Sequence, residues 1–306
     1  RDNFAIIVYS HNNKSALEML INQFKQQDYP IDRFKLFVIL DNCNDGSETI
    51  FRDENFINVI RFNQTLGKDR AISLLLDQLQ QDRTIDSYVF IDGNRAILSN
   101  FLTIVNSGLV HNNVLCGETL LDIDDMDIID SIKAIYQKYS MNFIRQARSL
   151  LGLATEADSG VFVIRKKIVD KIGIDFKNQN SELKYSLLLS KIGCRCTYNP
   201  NIKTYVNAEA YIFKRQNISK RLQLFVKCLK EIRFTNFVFT EHVFSLIQPN
   251  FWLCLILYAI ILKHSYKYYF FVDFNVVLFS FIIWVAGFGI SLISSNLRKN
   301  VFGLLA

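Results

Sequence analysis

Three short apolar runs, each closed by a polar cluster, constrain this chain more than any other feature. Phe4–Tyr9 (FAIIVY) ends in Ser10-His11-Asn12-Asn13. Phe34–Leu40 (FKLFVIL) ends in Asp41-Asn42-Cys43-Asn44-Asp45-Gly46-Ser47, and Ser87–Ile91 (SYVFI) in Asp92-Gly93-Asn94. Continuous apolar runs rich in β-branched residues belong to strands buried on both faces, as in a parallel sheet. Val59–Phe62 reads as a further brief strand. Between the strands lie helical patterns. Ala16, Leu17, Leu20, Ile21 and Phe24 make one apolar face over 14–27, stopped by Tyr29-Pro30, and Lys68–Leu79 makes another. Strand–helix alternation of this kind builds a parallel sheet through right-handed crossovers. Ligands of open α/β sheets bind outside the C-terminal ends of the strands. Ser10–Asn12, Asp41–Asp45 and Asp92–Asn94 are therefore expected to line one pocket.

The middle of the chain is less regular. Leu121–Asp130 packs five aspartates into ten residues. The spacing and the central glycine of a calcium loop are missing, so an acidic helix start is expected. Residues 130–151 read as helix, Gly160–Ile164 as strand, and Ser181–Leu189 as helix ending near Gly193. Arg195–Tyr198 and Ile202–Val206 read as two short strands around Asn199-Pro200. Ile218, Leu222, Phe225, Leu229 and Ile232 then recur at helical spacing, flanked by Lys220, Arg221, Lys227, Lys230 and Arg233. A basic amphipathic helix of this kind is suited to a membrane surface. Two apolar stretches come next, Phe251–Leu262 and Val276–Ile293. The first is short and preceded by Pro249; the second reaches the length of a spanning helix. Lysines and arginines on both flanks leave the orientation open.

The net charge is +6. Much of the excess falls between Lys214 and Arg233, beside the apolar region, which points to membrane lipid rather than nucleic acid. No nucleic-acid-binding signature is present. Six cysteines stand at 43, 116, 194, 196, 228 and 254. On a strand Cys194 and Cys196 would face opposite ways, so a shared metal is not expected, and the set reads as reduced thiols. The chain opens on Arg1, almost directly in a strand, and is expected to be a segment of a longer protein.

The strand ends carry a resemblance. Ile6–Asn13 (IIVYSHNN) resembles the opening strand of family 2 glycosyltransferases, and Ile39–Ser47 (ILDNCNDGS) their second strand end. Gly67-Lys68 before a helix resembles their GK-x-x-AL element. Tyr88–Leu102 (YVFIDGNRAILSNFL) resembles the strand carrying their DxD motif. Ser181-Glu182-Leu183-Lys184-Tyr185 resembles their EDLEY helix, and Gly193 and Pro200 the glycine and proline beyond it. The motifs run in order over residues 4–225.

The resemblance implies an α/β, GT-A-like nucleotide-sugar-binding domain with a mostly parallel central sheet over 1–213. Beyond it would come an amphipathic interfacial helix over 214–240 and C-terminal membrane helices over 241–306. It implies a nucleoside-diphosphate sugar as donor, with Ser10, Asn12, Asp41, Lys68, Asp92 and Arg221 around it. Asp41 would accept from the base, Lys68 would lie near the diphosphate, and Arg221 would contact it. A divalent cation, Mg or Mn, would be held by Asp92 and Asn94, weakly, because Asn94 stands where the family has a second carboxylate. Glu182 would be the general base for the acceptor hydroxyl, with Glu156 and Asp158 as alternatives on the acceptor side. Glu182 is one methylene longer than the family's aspartate, and Leu224 stands where the family's Q-x-x-R-W element has its tryptophan.

Two functional readings are open. In the first, the chain is an inverting, hexosyltransferase-like glycosyltransferase on the cytoplasmic membrane. Its catalytic domain faces the cytoplasm, and a glycan or lipid-linked saccharide is its acceptor. In the second, it is a non-catalytic paralogue, a nucleotide-binding or scaffolding subunit among the partners of a glycan assembly complex.

Overall fold

A computed structural model describes residues 1–51, 56–122, 134–135, 137–157, 160–173, 181–207, 218–232, 235–246, 260–261, 263, 278–283 and 285–286. The chain divides into two compact units. The first comprises Arg1–Asp122, Arg148–Tyr211 and Ile232–His242; the second comprises Ile123–Ala147, Ile212–Glu231 and Val243–Ala306.

The first unit is built on an eight-stranded sheet. Its strands are β1 (Phe4–Ser10), β2 (Phe34–Asp41), β3 (Ile57–Phe62), β4 (Ser87–Asp92), β5 (Ala96–Ile97), β6 (Val114–Asp122), β7 (Val161–Arg165) and β8 (Thr197–Asn207), in the order β3-β2-β1-β4-β7-β6-β8-β5. The half made of β3, β2, β1 and β4 is parallel throughout. Helices α1 (Lys14–Lys25) and α2 (Lys68–Leu79) make the crossovers after β1 and β3. These are the elements that the apolar runs foretell, to within a few residues at each end.

The other half departs from a mostly parallel sheet. β7 runs antiparallel to both β4 and β6, β6 pairs parallel with β8, and β5 closes the edge antiparallel to β8. The two strands expected around Asn199-Pro200 are one strand, β8. Cys116 pairs with Tyr198 and Glu118 with Lys203, so one residue of β6 faces four of β8. Proline lacks the ladder N–H and is tolerated in a sheet only at an edge or a bulge. Here the bulge absorbs Pro200 without ending the strand. Gly117 sits opposite the bulge, where a Cβ would lie 2.5 Å from the Ile202 carbonyl oxygen.

The core lies against the parallel half. Ile6, Val8, Leu36, Val38, Leu40, Val89 and Ile91 project from the sheet onto Leu17, Leu20 and Phe24 of α1 and Leu102, Val105 and Leu109 of α3 (Phe101–Leu109), all buried. After β7 come α4 (Lys166–Ile172) and α5 (Ser181–Lys191).

In the second unit, α6 (Ile218–Leu229) ends before Ile232, sooner than its apolar periodicity implies. Phe225 of α6 and Phe244, both in this unit, have ring centroids 6.0 Å apart; Phe244 lies near the end of α7 (Phe237–Ser245), whose residues up to His242 belong to the first unit. Leu222, Val226 and Leu229 are exposed. Among the described residues no helix is long and apolar enough to cross a membrane. Most of the two apolar stretches expected to do so lies outside the described residues, as does most of the aspartate-rich segment.

Candidate functional site

Because β1, β2 and β4 are parallel neighbours, their C-terminal ends reach the same edge. Tyr9 is in register with both Ile39 and Asp92, and Ser10 with Leu40. The three polar clusters are thereby brought together.

Asp41 is fully buried, and its carboxylate faces inward. One oxygen accepts from the Leu66 amide at 2.9 Å. The other accepts from the Gly67 amide at 2.9 Å and the Tyr9 hydroxyl at 2.8 Å. Burial comes first, then the bond to Asp41 and the nearby carboxylates, in pushing the Tyr9 phenol well above its ordinary range. Tyr9 therefore stays protonated as a donor. In this arrangement Asp41 orients the loop ahead of α2. Three donors thus occupy the two oxygens of this carboxylate. His11 Nδ1 donates to the Asp41 carbonyl at 2.6 Å, tying the ends of β1 and β2.

Two asparagines set the chain's exit from these strands. Asn12 and Asn42 adopt left-handed backbone, φ +48° and +53°. Asparagine tolerates that region better than most side-chain-bearing residues. Asn12 Oδ1 accepts from the Asn44 amide at 2.8 Å, and Asn42 Nδ2 donates to Thr65 Oγ1 at 3.1 Å. Asp45 accepts from the Lys14 amide at the start of α1 and from the Ser47 amide and hydroxyl. Burial acts to raise its pKa, but these hydrogen bonds outweigh it and hold the carboxyl below the ordinary 3.8.

Asp92, at the end of β4, is the charged centre of the edge. Lys68 Nζ, from the first residue of α2, lies 2.5 Å from its Oδ1. Arg95 Nη2 lies 3.8 Å from its Oδ2, with Arg95 Nη1 donating to Thr119 Oγ1 at 3.1 Å. The Arg95 side chain is 4% exposed, against 27% for Lys68 and 23% for Asp92. The Lys68–Asp92 pair is thus half-buried, backed by a buried guanidinium. Gly93 is fixed by close approach, since a Cβ there would lie 3.0 Å from both Ser10 Cβ and the Tyr9 carbonyl oxygen. Ser10 Oγ is buried with no hydrogen-bond partner among the described residues.

The structure brings Ser10, Asn12, Asp41, Lys68, Asp92 and Asn94 to one edge. Glu182 lies in α5, but its side chain is outside the described residues, as is Asp158; Glu156 is half-buried. Arg221 belongs to the second unit, where its Nε donates to the Leu246 carbonyl at 3.3 Å. Tyr9, Arg95 and Thr119 were not singled out by the sequence, and His11 only as part of the Ser10–Asn12 cluster. Arg95 could have been, as a cation directly after the Asp-Gly-Asn turn. Nothing local marks Thr119, which approaches across the sheet.

Asp92 and Asn94 are the residues that would hold a divalent cation. They provide one carboxylate, already paired with two cations, and a carboxamide oxygen that is enclosed by protein. Hard divalent cations need several oxygen ligands, and their affinity rises with ligand charge. This donor set does not fit a tightly held cation. Among the described residues no group of three or more His, Cys, Asp or Glu side chains could hold one.

No protein-family model and no curated protein matches the sequence. Solved structures do match the fold. The mannosyltransferase PcManGT from Pyrobaculum calidifontis, solved with GDP-Man and Mn2+, aligns with a TM-score of 0.61 at 13% identity, over 98% of this chain and 83% of that one. S. aureus TarS aligns with a TM-score of 0.55 at 14% identity, over 80% of this chain and 42% of TarS. Its 1–349 portion, solved with UDP-GlcNAc, aligns at 0.53 and 14% over 80% of this chain and 70% of that one. At these identities the likeness defines the fold: a mixed α/β sheet shared with a mannosyltransferase and with TarS.

Proposed function

We propose that this chain is a glycosyltransferase of the family 2 type that takes its sugar from a nucleoside-diphosphate donor. The observation that carries the reading is the part-exposed Asp92–Lys68 pair. It stands at the C-terminal edge of the parallel strands, where α/β sheets bind ligands. The fold it shares with proteins solved with GDP-Man or UDP-GlcNAc supports the same reading.

In the reaction, the bond between the anomeric carbon and the diphosphate breaks, and its electron pair leaves on the β-phosphate oxygen. The acceptor hydroxyl oxygen bonds to the same carbon from the opposite face, inverting it, and its proton passes to the Glu182 carboxylate. Lys68 meets the charge on the departing diphosphate, and Arg95 holds Asp92 in place behind it.

The acceptor is a glycan or lipid-linked saccharide at the cytoplasmic face of a membrane. Exposed Leu222, Val226 and Leu229 on α6, alongside Lys227 and Lys230, support a lipid-facing role for that helix.

Turnover of a panel of UDP- and GDP-sugars tests the assignment. Glu182→Gln is expected to lower kcat by about a hundredfold or more while donor KM stays within about threefold. Unchanged kcat would remove Glu182 from the role of base. Nucleotide binding with no turnover by the unmodified chain would favour the non-catalytic role.

A further inference from the structure

We propose that the first unit has a lipid contact of its own, in addition to the α6 face of the second. The exposed Leu150-Leu151 turn, with Lys167, Lys171 and Arg195 close by, inserts into an anionic bilayer surface. The inference goes beyond the transfer reaction and stands without it.

The apolar part is unusually open. Leu150 and Leu151 are 81% and 75% exposed, and Phe237, which opens α7, is 66% exposed. The turn that shows the leucines is nevertheless rigid. The Gly152 amide donates to the Ser149 carbonyl at 3.1 Å and the Leu153 amide to the Arg148 carbonyl at 2.8 Å. Gly152 has φ +72°, and a Cβ there would lie 2.8 Å from Arg195 Nη1. The Arg148 guanidinium holds the Ala154 carbonyl and takes both oxygens of Glu241, one turn beyond Phe237. Asn236 Nδ2 donates to the Ser190 and Lys191 carbonyls, which places Phe237 beside the C-terminal end of α5. Side chains fixed in this way lose little freedom on docking. Exposed apolar groups gathered on one part of a surface mark a contact site.

The charges nearby select the partner. Arg195 Nη1 donates to the Gly152 carbonyl at 2.7 Å, so the arginine stands against the turn. Burial raises the Cys194 thiol above its ordinary value, while Lys167, Lys171 and Arg195 act in the opposite sense, so all three cations are within electrostatic reach of residue 194. All three are exposed. The acids of the same elements offset them little. Asp170 of α4 is paired with Lys166 and Glu241 of α7 with Arg148. Glu182 sits at the opposite end of α5, and Glu156, beyond the turn, is half-buried.

Exposed leucines beside lysine and arginine suit an anionic bilayer. The apolar tips enter the headgroup boundary, and the long basic side chains keep their charges among the headgroups. Lipid is also a partner that this chain is equipped to meet, since Phe251–Leu262 and Val276–Ile293 are long apolar stretches of the same sequence.

The test is local, so that other membrane contacts do not mask it. The full chain carrying Leu151→Trp is reconstituted in vesicles of phosphatidylcholine with or without phosphatidylserine. The emission that this substitution adds to that of Trp252 and Trp284 is then compared between ordinary and brominated acyl chains. Bromination is expected to quench the added emission by about twofold in phosphatidylserine vesicles. Lys167→Gln together with Lys171→Gln is expected to remove about half of that quenching or more. Circular dichroism and urea midpoints of these variants should match the unmodified chain, because the replaced side chains are exposed. Added emission that bromination leaves unchanged would overturn the proposal and leave the face to a protein partner. Quenching that is the same without phosphatidylserine would overturn it too, because the basic side chains would then have no part. Either result leaves the α6 contact and the transfer reaction to their own tests.

Discussion

Single residues fix the strand-end site through contacts that have no slack. Gly93 has room for a hydrogen and no more, with Ser10 Cβ and the Tyr9 carbonyl each 3.0 Å from where a Cβ would stand. Gly93→Ala is expected to destabilise by about 1–3 kcal/mol, as overpacking does, seen as a lower urea midpoint at unchanged slope. Asp41→Asn removes one of two oxygens that together accept three donors. A cost of about 1–3 kcal/mol is expected in the same measurement, because a buried donor is left without its acceptor. Asp45 gives a pH dependence of definite sign. Its folded pKa is depressed, so its contribution is fully present above the ordinary value of 3.8 and is lost as pH falls through the lower folded value. Urea midpoints measured across that acid range should fall less steeply for Asp45→Asn than for the unmodified chain.

At the scale of elements, the parallel half could be read in advance because each of its strands carries its own signal. FAIIVY, FKLFVIL and SYVFI are apolar on both faces and stop at polar turns, and nothing distant is needed to place them. The antiparallel half is different. β6 begins in an apolar stretch and ends at Asp122, beside an aspartate-rich segment that reads as a helix start. Its partners, β7 and β8, lie far along the chain, so its pairing is a tertiary fact that local pattern does not carry. Pro200 misleads for a related reason: a proline stops a regular strand, but Gly117 across the sheet lets the chain bulge and continue. Gly117→Ala would set a methyl 2.5 Å from the Ile202 carbonyl oxygen, where backbone must move. It is expected to cost about 1–3 kcal/mol, and amide exchange of β8 should quicken more than that of β1. The site shows the same division. Asp41, Lys68 and Asp92 are visible as motif positions, whereas the tether from Asp41 to Leu66 and Gly67 and the Arg95–Thr119 contact become visible only on folding.

For the whole molecule, the contrast lies between a charged strand-end edge in one unit and an exposed apolar helix face in the other. Leu222, Val226 and Leu229 are 52%, 57% and 41% exposed, and Lys227 of α6 and Lys230 just beyond it are exposed as well. Co-sedimentation with vesicles containing phosphatidylserine is expected, weaker at high salt because the lysine contribution is screened. The double substitution Leu222→Asp with Val226→Asp should release the chain by about tenfold or more. Binding that ignores both changes would place any lipid contact elsewhere.

The buried Asp41 carboxylate has one more consequence, for observation. The Leu66 and Gly67 amides that it holds are two protons whose exchange with solvent requires the start of α2 to lift away from the sheet. A ligand that engages Lys68 restrains the same lifting. Those two amides are natural reporters of occupancy, and their exchange should slow on adding nucleotide while amides at the far end of α2 keep their rates. The carboxylate itself need never touch the ligand that it reports.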